Sequence, residues 1–186
     1  MEISADHWLR DARHCPSPNC NPRPDNAAIR LIVIHGISLP PGDFGGPWID
    51  RLFTNSLDPA AHPYFAEIAG LTVSSHLLIR RDGEIVQYVP FDLRAWHAGR
   101  SSYQGVENCN DFSIGIELEG VDDQPYSEAQ YRQLAAVTRV LNEIYPQTFG
   151  HIAGHSEIAP GRKTDPGPAF EWSHYRALLS SQGETE

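Results

Sequence analysis

A chain of 186 residues, 40% of them hydrophobic, is long enough to bury a sizeable core and is most simply one domain. Its formal charge of −10 leaves no basic excess to neutralise phosphates, which argues against nucleic acid and anionic membrane surfaces as partners without forbidding a local basic pocket. No apolar run approaches the roughly 20 residues of a membrane span, and the opening "MEISADHWLR" has no apolar h-region, so the expectation is a soluble protein of the cytoplasm.

Residues 1–28 read as an irregular lead-in to a single domain over 29–180, with a C-terminal tail over 181–186. Three cysteines, Cys15, Cys20 and Cys109, suit a reducing compartment better than a disulfide framework. In "HCPSPNCNPRP", Cys15 and Cys20 stand beside His14 and could help hold a metal, but no second Cys/His pair at finger spacing follows. "RLIVIHG" is an apolar, β-branched run ending in His35 and Gly36, which predicts a buried strand. The Pro/Gly-rich stretch after it, through "HPYF", predicts a long loop with a short helix near Pro47 to Phe53. "TVSSHLLIRRDGEIVQYV" predicts two strands joined at Asp82-Gly83. In "DFSIGIELEG", Ile114, Ile116 and Leu118 face one way along a strand, and Gly115, Glu117 and Glu119 the other.

From Ser127 to Tyr145 the period becomes helical. Ser127 with Gln130 suits a capping box, Tyr131, Leu134, Thr138, Leu141 and Tyr145 form one stripe, and Pro146 stops the run. A second short helix is expected around Trp172 to Leu179. Between the helices, "GHSEIAPGRKTDPGP" sets His155, Lys163 and Asp165 on a segment too rich in proline and glycine for a helix interior, hence on a constrained loop.

Two imidazoles and a carboxylate from separate elements, His35, His155 and Asp165, leave one position open for water and so match a catalytic rather than a structural zinc set. Spacing alone does not single them out, since the chain has nine histidines and His7, His14, His62, His76, His97, His151 and His174 all compete. Glu117 reads as a solvent-facing alternation residue or, if its face lines a metal cleft, as a proton acceptor, and Lys163 as a surface lysine or an oxyanion partner.

Resemblance narrows these alternatives. "LIVIHGISLPPGDFGGPWI", "HPYFAEI", "VSSHLLIRRDGEIVQYVPFDLRAWHAG", "CNDFSIGIELEG" and "AGHSEIAPGRKTDPGPAFEW" closely resemble the cytoplasmic 1,6-anhydro-N-acetylmuramyl-L-alanine amidases. Those belong to a zinc amidase family that also holds phage lysozyme-type amidases and peptidoglycan recognition proteins. The resemblance spans about Asn19 to Trp172 and implies an α/β (α+β) fold, a mixed central β-sheet flanked by helices. It implies one Zn2+ per chain on His35, His155 and Asp165, Glu117 as general base and Lys163 as transition-state stabiliser. The implied substrate is a small soluble muropeptide, cleaved by a monomer between (1,6-anhydro) N-acetylmuramic acid and L-alanine in peptidoglycan recycling. Its peptide carboxylates need local cations, for which Arg80, Arg81, Arg94, Arg100 and Arg162 are candidates, while Trp96 and His97 offer a flat surface to the sugar. Many relatives carry Asn directly after the first metal histidine where this chain has Gly36. The rival readings are a module that binds muropeptide without cutting it and a secreted hydrolase of polymeric wall. The full ligand set argues against the first, and the absence of a visible signal segment against the second.

Overall fold

The structure, a computed structural model, describes residues 1–181; residues 182–186 of the expected tail lie outside the described residues. In chain order the strands are β1 (Arg13–His14), β2 (Cys20–Pro22), β3 (Leu31–Ile37), β4 (Leu77–Ile79), β5 (Ile85–Gln87), β6 (Leu93–Ala95), β7 (Ser102–Tyr103), β8 (Val106–Glu107), β9 (Ser113–Glu119) and β10 (Ile152–Gly154). The α-helices are α1 (Trp48–Phe53), α2 (Pro63–Glu67), α3 (Glu128–Ile144), α4 (His155–Ile158) and α5 (Trp172–Ser180).

The two longest strands are the apolar runs that the sequence marks as buried. β3 and β9 pair in parallel over their full length, from Leu31 opposite Ser113 to Ile37 opposite Glu119. The main sheet runs β1-β5-β4-β9-β3-β10. β4, β9, β3 and β10 are mutually parallel, β5 turns back antiparallel against β4, and β1 lies parallel to β5. This mixed sheet between helices is the expected α/β (α+β) fold.

Parallel strands are stable only when both faces are covered. On one face Ile32, Ile34, Ile114, Ile116 and Leu118 pack with Leu134 and Leu141 of α3 and Tyr175 of α5. The opposite face is covered in two patches. Leu31 and Val33 pack on Ala98, Cys109 and Phe112, and Leu78, Val86 and Tyr88 pack on Ile49, Phe53 and Phe65 from α1 and α2. His35 and Glu117 alternate with the helix-facing residues, so they emerge on this second face.

The local signals hold where they are strongest. α3 opens with the capping box: Ser127 Oγ accepts from Gln130 N at 3.2 Å, and Gln130 Oε1 accepts from Ser127 N at 3.0 Å. The β4–β5 hairpin forms around Asp82-Gly83, although its loop closes between Arg80 N and Glu84 O at 2.9 Å and is wider than a two-residue turn. The lead-in expected to be irregular over 1–28 supplies the sheet-edge strand β1 and the strand β2, which pairs with β6, and it buries Leu9 completely. Two- and three-residue strands are too short to show a period, so only their distant partners define them. His155, expected on a loop, is the first residue of the four-residue helix α4, whose Glu157 carboxylate accepts from Gly154 N at 2.6 Å.

Ser127→Ala removes the cap of α3 and the 2.6 Å bond that Ser127 Oγ donates to Arg81 O. The expected cost is about 1–2 kcal/mol, read as a lower denaturation midpoint with an unchanged m-value.

Candidate metal centre and active site

The β3–β9 register sets His35 directly opposite Glu117, so the imidazole and the carboxylate project side by side. β10 pairs with β3 through Gly154 opposite Ile34, which delivers the next residue, His155, to the same end of the sheet. The following loop returns to this point: Asp165 O accepts from Ser156 N at 2.9 Å, and Asp165 Oδ2 accepts from Gly36 N at 3.4 Å.

Three potential ligand atoms therefore converge. His35 Nδ1 lies 3.0 Å from His155 Nδ1 and 3.3 Å from Asp165 Oδ2, and His155 Nδ1 lies 3.0 Å from the same oxygen. Burial, only partly offset by Asp165, pushes the His35 imidazole down to about 4, leaving it neutral at neutral pH. Burial would raise the Asp165 carboxyl, but the adjoining His155 and His35 imidazoles outweigh it and hold the group well below the usual carboxylate range. Neutral imidazole and ionised carboxylate are the states in which such groups bind metal. His155 Nε2 faces Ala98 O at 3.2 Å and must donate to it, so the Nδ1 of a neutral ring carries its lone pair toward the other two ligand atoms. Two nitrogens and one oxygen gathered within 4.8 Å can hold a metal ion, and they fit the donor set of a zinc site with an open position.

Glu117 is only 8% exposed, and its Oε2 is buried without a hydrogen-bond partner among the described residues. Burial first, then the neighbouring Asp165, pushes its carboxyl well above the usual range, with Lys163 opposing them. The two carboxylates thus differ sharply: Asp165 is held ionised while Glu117 is inclined to take a proton. Both line a cavity of about 630 Å³ with His35, His155, Lys163 and Arg162. Tyr64, Ile68, Leu71 and Val73 give one side of it an apolar wall.

The other sequence candidates divide. Trp96, His97 and Arg162 line this cavity, whereas Arg81, Arg94, Arg80 and Arg100 do not. Arg94 is tied to Asp111 at 2.5 Å, and Arg81 donates to Pro125 O at 2.9 Å and stacks over Phe44. Arg80 is spent on Asp50, Glu84 and Glu119. Cys15 and Cys20 are free thiols packed beside the α1–α2 patch, and His14 bonds to Leu9 O instead of joining them. Glu119, on the same face of β9 as Glu117, meets protein instead of solvent. It is 2% exposed, accepting from Arg80, Arg81 N and Gly45 N, and so anchors the loop after β3 to the sheet.

Two contributors escape sequence reasoning. One is Tyr126, whose hydroxyl donates to Pro166 O at 2.9 Å next to Asp165. A Cβ on Gly36 would overlap its hydroxyl, and one on Gly120 would overlap the ring itself. The other is Asn110, which grips the backbone beside His97. Neither stands in a recognisable motif, and only three-dimensional proximity reveals them.

The N-acetylmuramoyl-L-alanine amidase family model matches residues 25–168. The chain is 65% identical over 175 residues to the 1,6-anhydro-N-acetylmuramyl-L-alanine amidase AmpD of Escherichia coli (strain K12), covering 94% of this chain and 96% of that protein. A crystal structure of a selenomethionine AmpD derivative superposes with a TM-score of 0.94 at 63% identity, covering 97% of this chain and 100% of that one. The Escherichia coli amidase AmiD, solved with the substrate anhydro-N-acetylmuramic acid-L-Ala-D-gamma-Glu-L-Lys, superposes with a TM-score of 0.59 at 30% identity, covering 84% of this chain and 60% of that one.

The raised Glu117 carboxyl sets a pH dependence in the metal-free protein. Between its ordinary value near 4.5 and its higher folded value, the native chain binds more protons than the unfolded one, so this group's contribution to stability falls as pH rises. Glu117→Gln removes that loss. The variant should therefore gain in Tm over the parent as metal-free samples are taken upward from pH 4.5. A Tm difference that stays constant with pH would show that no such penalty exists.

Proposed function

Because the chain belongs to the N-acetylmuramoyl-L-alanine amidase family, we propose that it works with one zinc ion held by His35, His155 and Asp165, with Glu117 as general base and Lys163 as oxyanion stabiliser. It is an amidase hydrolysing the bond between 1,6-anhydro-N-acetylmuramic acid and the L-alanine of the stem peptide, as in peptidoglycan recycling. The observation that carries the site assignment is the buried Oε2 of Glu117, without a partner among the described residues and one strand away from three converging ligand atoms. Such an oxygen is costly unless something brings it a proton.

Zinc, when bound, supplies a Lewis acid and lowers the pKa of water to about 7. The chain's residues do the rest. Glu117 accepts a proton as water oxygen attacks the lactyl carbonyl carbon, and its raised proton affinity suits that task. Lys163 lends a positive charge to the oxygen on which charge develops. As the carbon–nitrogen bond breaks, Glu117 returns the proton to the departing alanine nitrogen, leaving a free amine and a lactyl carboxylic acid that loses its remaining proton to solvent.

Of the cations lining the cavity, Lys163 serves the oxyanion, and Arg162, whose Nη2 donates to Ala98 O and Arg100 O, has its other guanidinium nitrogens for the substrate's peptide carboxylates, while Trp96 offers its ring to the sugar. A small soluble muropeptide suits a cavity of about 630 Å³. No helix among the described residues is long and apolar enough to cross a membrane. We place the enzyme in the cytoplasm as a monomer.

Chelation should abolish activity and zinc should restore it, with one zinc per chain by elemental analysis; full activity without metal would refute the assignment. In the zinc-loaded protein Glu117→Gln should lower turnover by about 10²-fold or more with KM little changed, and Lys163→Met should lower kcat more than it raises KM. Since both act in one step, the double variant should lose less than the product of the single losses.

The anhydro sugar, a rigid bicycle, should be cleaved with a much higher kcat/KM than the same peptide on a reducing sugar. Equal values would indicate a general wall amidase.

A further inference from the structure

His97 lines the cavity, yet it is only 9% exposed and both its ring nitrogens are engaged behind the ligands. The direction of its bonds follows from the far end of the chain they form. Ser113 Oγ lies 2.6 Å from Cys109 O, and two oxygens at that separation repel unless a proton lies between them. The carbonyl can only accept, so the single hydroxyl proton of Ser113 is committed there. Ser113 Oγ must then accept from His97 Nε2, 3.1 Å away. A neutral His97 ring has its lone pair on Nδ1, and this atom lies 2.9 Å from His35 Nε2, which must donate. The ring is buried and its two nitrogens meet only His35 and Ser113, with no carboxylate bonded to it among the described residues, so nothing there holds a second proton on it. His35 Nδ1 is thereby left with its lone pair directed at His155 and Asp165.

The next residue does the same for the second imidazole. Ala98 O accepts from His155 Nε2 at 3.2 Å and from Arg162 at 2.6 Å. The backbone of both residues is held by one side chain, Asn110 Oδ1, which accepts from His97 N at 3.1 Å and Ala98 N at 2.8 Å. The His97 ring also has a built seat, since a Cβ on Gly115 of β9 would overlap it, and it meets His35 edge-on at 88°.

We propose that the His97–Ala98 dipeptide, clamped by Asn110, is a bracket that sets the tautomer and orientation of both metal-binding imidazoles, with His97 as a positioning residue for His35. His97 is accordingly a support behind His35, in place of the sugar surface that the sequence suggests. The proposal rests on the metal reading above and adds what prepares the site before metal arrives.

Two-bond proton–nitrogen spectra of the metal-free protein test the bracket without metal or activity. His35 and His97 should both carry their proton on Nε2. A competition titration with a chromophoric chelator then measures zinc affinity. His97→Leu should weaken it by about 10–100-fold, with the KM of the zinc-saturated variant nearly unchanged. His97→Asn, whose Oδ1 can stand where Nδ1 accepts, should recover most of the loss, which a purely space-filling role would not produce. Should His97→Leu fail to fold, Ser113→Ala keeps the ring. It should still weaken zinc and release a share of His97 to the Nδ1-protonated tautomer. A proton on Nδ1 of either ring in the parent protein would overturn the proposal. So would unchanged zinc affinity in the folded variants, or a raised KM with zinc affinity intact. A parent protein that takes up no zinc would instead overturn the metal reading, and the nitrogen spectra would still decide the bracket.

Discussion

The parallel pairing of Leu31–Ile37 with Ser113–Glu119 is the constraint from which the site follows. Side chains alternate along each strand, so one register brings Ile32, Ile34, Ile114 and Ile116 under α3 and the same register brings His35 beside Glu117 on the other face. A slip of one residue would send the imidazole under the helix and an isoleucine into the cavity. Full burial of a single large aliphatic side chain contributes roughly 1.5–3 kcal/mol. The apolar face therefore holds the polar face in place, and the cost of burying Glu117 is carried by isoleucines that never meet substrate.

Around that pair the site is assembled from distant pieces. Edge strand β10 hands in His155, the loop after α4 hands in Asp165, and Glu119 anchors the cavity wall through Gly45. Every one of these attachments uses a backbone donor or acceptor. That arrangement fixes the positions of the functional side chains, Asp165 in part through its own Oδ2, which accepts from Gly36 N.

The long apolar runs, the α3 capping box and the hairpin near Asp82-Gly83 were legible because each is a local pattern with one physical solution. The metal-capable trio was legible as chemistry but singled out among nine histidines only by resemblance. Burial of Glu117 and Glu119 was not legible, because alternation distinguishes two faces without saying whether the second meets water or more protein. Arg81 and Arg94 illustrate a similar limit. A cation's usefulness to an anionic ligand depends on whether a carbonyl or carboxylate already holds it, and Pro125 and Asp111 are far from them in sequence. β1 and β2 have no sequence signature, being held by strands many residues away.

The close fit of Tyr126 over Gly36 and Gly120 has a consequence for how such chains can diverge. The tyrosine hydroxyl occupies the volume that a side chain after the first histidine would need, and it also braces Pro166 beside Asp165. The three positions therefore form one unit of sequence drift. A chain that acquires asparagine in place of Gly36 has to move the Tyr126 hydroxyl from this position, and with it the bond to Pro166 O beside Asp165. An exchange at Gly36 is therefore felt at the Asp165 loop through the tyrosine, as a packing effect separate from any contact with substrate.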